Sequence, residues 1–138
     1  INTIISLIIS FVIMHLIFII YPTIVDIRPN IDSFNSITTL ILYIAFKADT
    51  PPVNCFPSGH CILCFIMVFS ILKSQNITWK NKSILIIINT LIILSTLFVK
   101  QHVIIDVIGA LIISFISFYV ISNLKIFIKL KKKLAKIS

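Results

Sequence analysis

Residues 103–123 read VIIDVIGALIISFISFYVISN, an apolar stretch in which Asp106 is the single charged residue. A helix needs about 20 mostly apolar residues to cross the hydrocarbon core of a bilayer. The stretch has that length. It therefore predicts a membrane-spanning helix with a carboxylate close to its beginning.

Three more apolar runs lie upstream, at residues 3–21, 57–73 and 83–99, and the second of them is the shortest. Residues 36–46 are also apolar but too short to span, so we expect a helix lying at the membrane interface. The pattern predicts an all-α, polytopic membrane bundle of about four spanning helices. We treat residues 1–138 as one domain.

The composition excludes a water-soluble fold. Of the 138 residues 59% are hydrophobic and 12% are charged, with a mean hydropathy of +1.14, whereas a soluble domain is roughly half apolar and one-quarter charged. Cys61 and Cys64 are three residues apart but lack the second pair of ligands that a zinc site requires. We interpret these two and Cys55 as small buried residues.

Positive charges predict the orientation, because cytoplasmic loops are rich in Lys and Arg. The segment between the first two long runs is mixed in charge and is expected outside. The chain is then a multi-pass protein of the cell membrane with both ends inside. We expect the net charge of +8 to bind anionic membrane lipids and not nucleic acid. The lysines expected inside are Lys73, Lys80, Lys82, Lys125, Lys129, Lys131, Lys132, Lys133 and Lys136.

Two histidines are predicted at the same outer edge of the membrane. His60 begins the second long run within Pro57-Ser58-Gly59-His60, and His102 begins the fourth, four residues before Asp106. Residues four apart share one face of a helix. Ionisable groups at membrane depth are costly and usually functional, so their convergence predicts an active site on the extracytoplasmic face.

The residue types at this edge suit a phosphate ester. The first N–H groups of a helix lack intrahelical partners, so Ser58, Gly59 and His60 can cradle phosphate oxygens. Arg28 can add a bidentate contact. The sequence thus predicts a phosphate-binding site in which no metal is needed.

The acid–base groups of such a site can also be assigned. Asp106 would hold one ring nitrogen of His102 and leave the other as a nucleophile. His60 would then protonate the departing alkoxide. We predict His102, His60 and Asp106 as the catalytic residues.

These residues resemble the signatures of the type 2 phosphatidic acid phosphatase superfamily, which are Lys-x6-Arg-Pro, Pro-Ser-Gly-His and Ser-Arg-x5-His-x3-Asp. The chain has Tyr21-x6-Arg28-Pro29, then Pro57-Ser58-Gly59-His60, then Ser95-Thr96-x5-His102-x3-Asp106. The resemblance implies His102 as the phosphoryl-accepting nucleophile, Asp106 as its partner and His60 as the general acid.

The chain departs from the signatures at two basic positions. Tyr21 stands where the family has Lys, and Thr96 where it has Arg. Lys100, two residues before His102, is our candidate to replace their charge. The stretch 98–102 is similar to the branch of inositol phosphorylceramide synthase-like members, and the six spans usual in the family imply that two N-terminal helices are missing here.

The resemblance implies a lipid phosphatase whose substrate is a lipid phosphate monoester or a polyprenyl diphosphate. Two alternatives stay open at this point. The first is a head-group phosphotransferase that uses an alcohol in place of water, and the second is a catalytically inactive helper or transport subunit, since two basic residues are replaced.

Our first prediction is that activity does not depend on a metal ion or other cofactor. Histidine, a helix N-terminus and Arg28 can supply the positive field, and the sequence has no carboxylate cluster suited to Mg²⁺. Phosphate release by the purified protein should survive EDTA. Complete inhibition that added metal reverses would contradict it.

Overall fold

The structure, a computed structural model, describes residues 1–24, 27, 29, 31, 36–48, 50–51 and 53–124. Over these residues the fold is all-helical, as predicted, with one isolated bridge between Ile24 and Val53. Its helices are α1 (Asn2–Ile20), α2 (Ile37–Ala48), α3 (Gly59–Lys73), α4 (Trp79–Phe98) and α5 (Ile104–Asn123).

Local chemistry sets the ends of the helices that matter for the site. α1 stops at Ile20 because Pro22 disfavours helical geometry at the residue before it. α3 begins at Gly59 because the Ser58 hydroxyl accepts a hydrogen bond from the Cys61 N–H at 3.3 Å. α5 begins at Ile104, where the Asp106 carboxylate accepts from the Val103 N–H at 3.0 Å.

The protein is a multi-pass membrane protein in which α1, α4 and α5 are long and apolar enough to cross a bilayer. The sequence predicts a fourth span at 57–73, but α3 has 15 residues. At 1.5 Å per residue it covers about 22 Å, less than the roughly 30 Å of hydrocarbon. It is shorter than the apolar run because Pro57 and Ser58 form the extended approach to its N-terminus.

α3 is nevertheless the central helix of the bundle. It packs against α1, α4 and α5, and its Ile62 and Ile66 are fully buried. The cysteines Cys55, Cys61 and Cys64 are buried too, as the sequence predicts. A helix surrounded in this way need not match the bilayer thickness by itself.

Small polar residues line the contact faces of the long helices. Ser6 and Ser10 on α1, and Ser114 and Ser117 on α5, are almost completely buried. The Ser114 hydroxyl donates to the Ile62 carbonyl of α3 at 3.3 Å. Small side chains let membrane helices approach closely, which is how helices pack without a hydrophobic driving force between them.

α2 corresponds to the predicted interfacial helix. It is apolar, twelve residues long, and none of its residues is buried. The helix is confirmed, while its position at the membrane surface stays a prediction.

Gly109 on α5 makes room for the aromatic ring that precedes the Pro57 motif. A Cβ placed at Gly109 would lie 2.5 Å from Cε2 of Phe56, closer than side chains tolerate. Phe56 immediately precedes Pro57 and Ser58, so this contact sets how near the start of α3 comes to α5.

The second prediction is that Gly109→Ala destabilises the fold, although alanine is normally better than glycine inside a helix by about 0.5–1 kcal/mol. Displacing the Phe56 ring should cost about 1–3 kcal/mol of unfolding free energy. Thermal unfolding in detergent measures it.

Gly59→Ala is the matched control. A Cβ at Gly59 would lie 3.3 Å from the flexible Met14 sulfur, so the loss of stability should be smaller. Equal melting temperatures for the two variants would contradict the role assigned to Gly109.

Candidate active site

His102 and Asp106 form a hydrogen-bonded pair at the start of α5. The His102 Nδ1 lies 3.2 Å from the Asp106 Oδ2. An ionised carboxylate only accepts hydrogen bonds, so Nδ1 is the donor in this pair and Nε2 is the ring nitrogen that the carboxylate leaves available. The side chains are 11% and 3% exposed, which means that the pair is shielded while the histidine ring keeps an open edge.

The turn between α4 and α5 delivers His102 to this position. The Thr96 carbonyl accepts from the Gln101 N–H at 3.0 Å and from the His102 N–H at 3.2 Å. Lys100 takes a left-handed conformation with φ of 56°, which non-glycine residues seldom adopt. The chain therefore reverses direction within a few residues. The two hydrogen bonds to Thr96 fix the backbone of His102, and with it the position of the imidazole.

A backbone hydrogen bond joins α3 to α5 at the same end. The Ser58 N–H donates to the Asp106 carbonyl at 3.3 Å. The link brings His60, in the first turn of α3, close to His102, and their ring centres lie 6.1 Å apart. His60 is exposed. The three residues predicted to be catalytic thus come together in space.

The same bond changes which N–H groups at the start of α3 can meet a phosphate. The Ser58 N–H is already bonded to Asp106, and the Cys61 N–H is bonded to the Ser58 hydroxyl. The first-turn groups left for a ligand are those of Gly59 and His60. Ser58 is a predicted phosphate ligand. In this structure its hydroxyl caps α3, and its N–H links α3 to α5.

Thr23 is a residue of the site that the sequence analysis missed. Its hydroxyl accepts from the N–H groups of Cys55 at 3.1 Å and Phe56 at 2.9 Å, and its carbonyl accepts from Asn54 at 2.6 Å. The chain just after α1 is thereby tied to the chain just before α3. A lone threonine in a loop has no sequence signal that predicts this role.

A pocket of about 340 Å³ is lined by Asp106, whereas His102 and His60 are not among its lining residues. Its wall is mostly apolar, and the Asp106 side of the site borders it. The other described residues that line it are Tyr21, Thr23, Ile24, Cys55, Phe56, Val103 and Ile105.

The structure says less about the other residues predicted to bind phosphate, Arg28 and Lys100. Arg28 lies outside the described residues. Lys100 is exposed at the turn before His102. At the family's arginine position, Thr96 is buried, and its hydroxyl lies 3.8 Å from the Cys61 sulfur, so this position does border the first turn of α3.

The third histidine, His15, is apart from the site. It lies in the middle of α1, and its Nδ1 is 2.7 Å from the Phe11 carbonyl. This is an ordinary hydrogen bond to the preceding turn of the same helix. It makes His15 a useful reference for the two histidines of the site.

A membrane-embedded helical bundle that holds a His–Asp pair opposite a second histidine at a helix N-terminus defines a class of membrane phosphate-ester enzymes. The model of the PAP2 superfamily matches residues 3–127. The chain belongs to that superfamily, whose members are usually phosphatases. Neither a curated protein nor a solved structure matches the chain.

The third prediction concerns Thr23. Thr23→Val keeps the shape but removes the acceptor for two partly buried N–H groups, and an unsatisfied N–H costs up to about 1–3 kcal/mol when it is fully buried. We expect lower unfolding free energy and slower phosphate release. Thr23→Ser keeps the hydroxyl and should resemble the parent in both assays. If valine and serine behave alike, the hydroxyl does not hold the two segments together.

Proposed function

We propose that the protein is an integral-membrane lipid phosphatase that hydrolyses a lipid phosphate monoester or a polyprenyl diphosphate through a phosphohistidine. The observation that carries the proposal is the hydrogen bond between His102 Nδ1 and Asp106 Oδ2, with His60 facing the pair. Membership of the superfamily supports the reaction class.

In the first step His102 is the nucleophile. Its Nε2 attacks phosphorus, the new N–P bond forms, and the bond from phosphorus to the lipid oxygen breaks. The Asp106 carboxylate stabilises the positive charge that develops on the ring. That carboxylate also accepts a hydrogen bond from the Val103 N–H. It therefore fixes the His102 ring relative to the start of α5.

His60 is the general acid for the departing lipid oxygen. Attack begins with reacting atoms about 3–3.5 Å apart, and the proton donor lies about 2.6–3.2 Å from the oxygen that it protonates. The phosphoryl group has to fit between the two histidine rings, whose centres lie 6.1 Å apart. In the second step His60 takes a proton from water, water attacks phosphorus, the N–P bond breaks, and phosphate leaves.

Charge on the phosphate is balanced by groups at the rim. The N–H groups of Gly59 and His60 sit at the positive end of the α3 dipole. Arg28 and Lys100 are the cations that we assign to the remaining oxygens. Lys100 lies in the turn that follows Thr96, and we assign it to replace the charge that the family positions Tyr21 and Thr96 have lost.

The apolar pocket beside Asp106 supports a lipid as the substrate, since apolar groups favour an apolar wall. A head-group transferase would use the same first step and an alcohol in the second. Measuring phosphate release in water, with and without added alcohol acceptors, separates the two reactions. The resemblance of residues 98–102 to inositol phosphorylceramide synthase-like members keeps transfer open, because that branch includes head-group transferases. Our proposal predicts free phosphate.

The fourth prediction is that substitutions of the three proposed catalytic residues lower the activity in different ways. His102→Ala should abolish turnover and the acid-labile phosphoenzyme. His60→Ala should slow a lipid ester about 10²- to 10⁴-fold and p-nitrophenyl phosphate much less, since p-nitrophenolate leaves without a proton. Asp106→Asn should lower the rate greatly, because the charge that holds the imidazole is lost.

His15→Ala is the matched control and should leave both rates unchanged, because His15 is bonded within α1. Folding of every variant is checked by thermal unfolding. A His102→Ala protein that is folded and releases phosphate at the parent rate would overturn the mechanism. A parent protein that releases no phosphate from any lipid phosphate would favour an inactive helper subunit.

A further inference from the structure

A second feature lies at the end of the bundle away from the His102 site. A groove of about 430 Å³ opens between the C-terminal halves of α3 and α5. Sixteen residues of α5 separate Asp106 from Ser122, which at 1.5 Å per residue is about 24 Å. The groove is therefore too far from the catalytic groups to form part of their site.

Aromatic rings hold the walls of the groove in place. Phe69 of α3 contacts the rings of Phe115 and Phe118 of α5, with ring centres 6.0 and 5.8 Å apart. Phe115 also stacks on Tyr119 at 6.0 Å. Phe115 and Tyr119 are more than half exposed, so the groove opens towards the surrounding lipid.

The rim of the groove carries positive charge. Lys73, the last residue of α3, is exposed, and its Nζ lies 5.8 Å from the centre of the Phe118 ring. Lys82 donates to the carbonyl of Leu72, another groove residue, at 3.2 Å. The two helix C-termini contribute about half a negative charge each, so two lysines leave this end net positive.

A buried hydroxyl provides a second, independent sign of a ligand. Ser122 lines the groove and is 9% exposed. Its Oγ has no hydrogen-bond partner among the described residues. A buried hydroxyl without a partner is unfavourable. The Oγ itself is closed to solvent, so the Ser122 side chain has to rotate about its Cα–Cβ bond to donate to a phosphate oxygen in the groove.

We propose that this groove binds one anionic phospholipid of the surrounding bilayer, with the phosphate between Lys73 and Ser122 and an acyl chain along the aromatic wall. The lysine and the hydroxyl donor suit the phosphate of such a lipid, and the apolar wall suits its acyl chain. The site is independent of the catalytic reaction, so it stands or fails separately from the proposed function.

The fifth prediction tests the proposal by native mass spectrometry of the purified full chain, titrated with phosphatidylglycerol or phosphatidylcholine of identical acyl chains. The parent should retain phosphatidylglycerol more tightly. Lys73→Gln should weaken it about fivefold, the size expected for one lysine near a lipid phosphate. Ser122→Ala should weaken it at least about threefold.

Lys80→Gln is the matched control, because Lys80 is an exposed lysine in the first turn of α4 and does not line the groove. It should change the affinity by less than about twofold. An equal loss in Lys80→Gln and Lys73→Gln would mean diffuse charge attraction and overturn the proposal. Equal affinity for the two lipids would overturn it as well.

Two other results would identify a different occupant. If phosphatidylglycerol binds only after residues 125–138 are deleted, the chain's own tail fills the groove. If the parent is a dimer that Phe115→Ala separates, while neither protein retains lipid, a second copy covers it. Both outcomes contradict the lipid site.

Discussion

Asp106 is the residue on which the rest of the site depends. Its carboxylate accepts hydrogen bonds from the His102 ring and the Val103 N–H, and its carbonyl accepts from Ser58. A nearly buried charge needs such partners, because an unpaired one would be very unfavourable. The His102 ring, the start of α5 and the start of α3 are therefore held by the side chain and the backbone of one residue.

The bilayer explains why these hydrogen bonds around Asp106 lie at one end of the bundle. Within hydrocarbon, backbone groups must be satisfied inside helices, so the irregular chain and its N-terminal N–H groups are confined to helix ends. Thr23 and Gly109 then refine the geometry, the first by tying two loop segments together and the second by admitting the Phe56 ring. The opposite ends of α3 and α5 are left to form a separate, aromatic and cationic groove.

Sequence reasoning singled out His60, His102 and Asp106, which the structure brings together, because each lies in a short signature and at the end of an apolar run. It could not place the bonds between them. Ser58 was expected to offer its N–H to phosphate, yet that group is bonded to Asp106, a contact between residues nearly fifty positions apart. Thr23 and Phe56 were missed for the same reason, since their partners are distant in sequence. Arg28 lies outside the described residues, so its role stays a prediction.

The sequence by itself determined the membrane class, the helix positions to within a few residues, and the nearness of His102 to Asp106, because hydropathy and short separation are local properties of the chain. The two residues do not share a helix face as expected, since His102 precedes the N-cap Val103 of α5. The sequence overestimated the length of α3, because Ser58 caps the helix and the helical residues begin only at Gly59. Only the tertiary structure decided that the short α3 is central, that His60 faces His102, and that Ser122 is buried with no hydrogen-bond partner among the described residues. Those features arise where helices pack, and packing depends on side chains that are far apart along the chain.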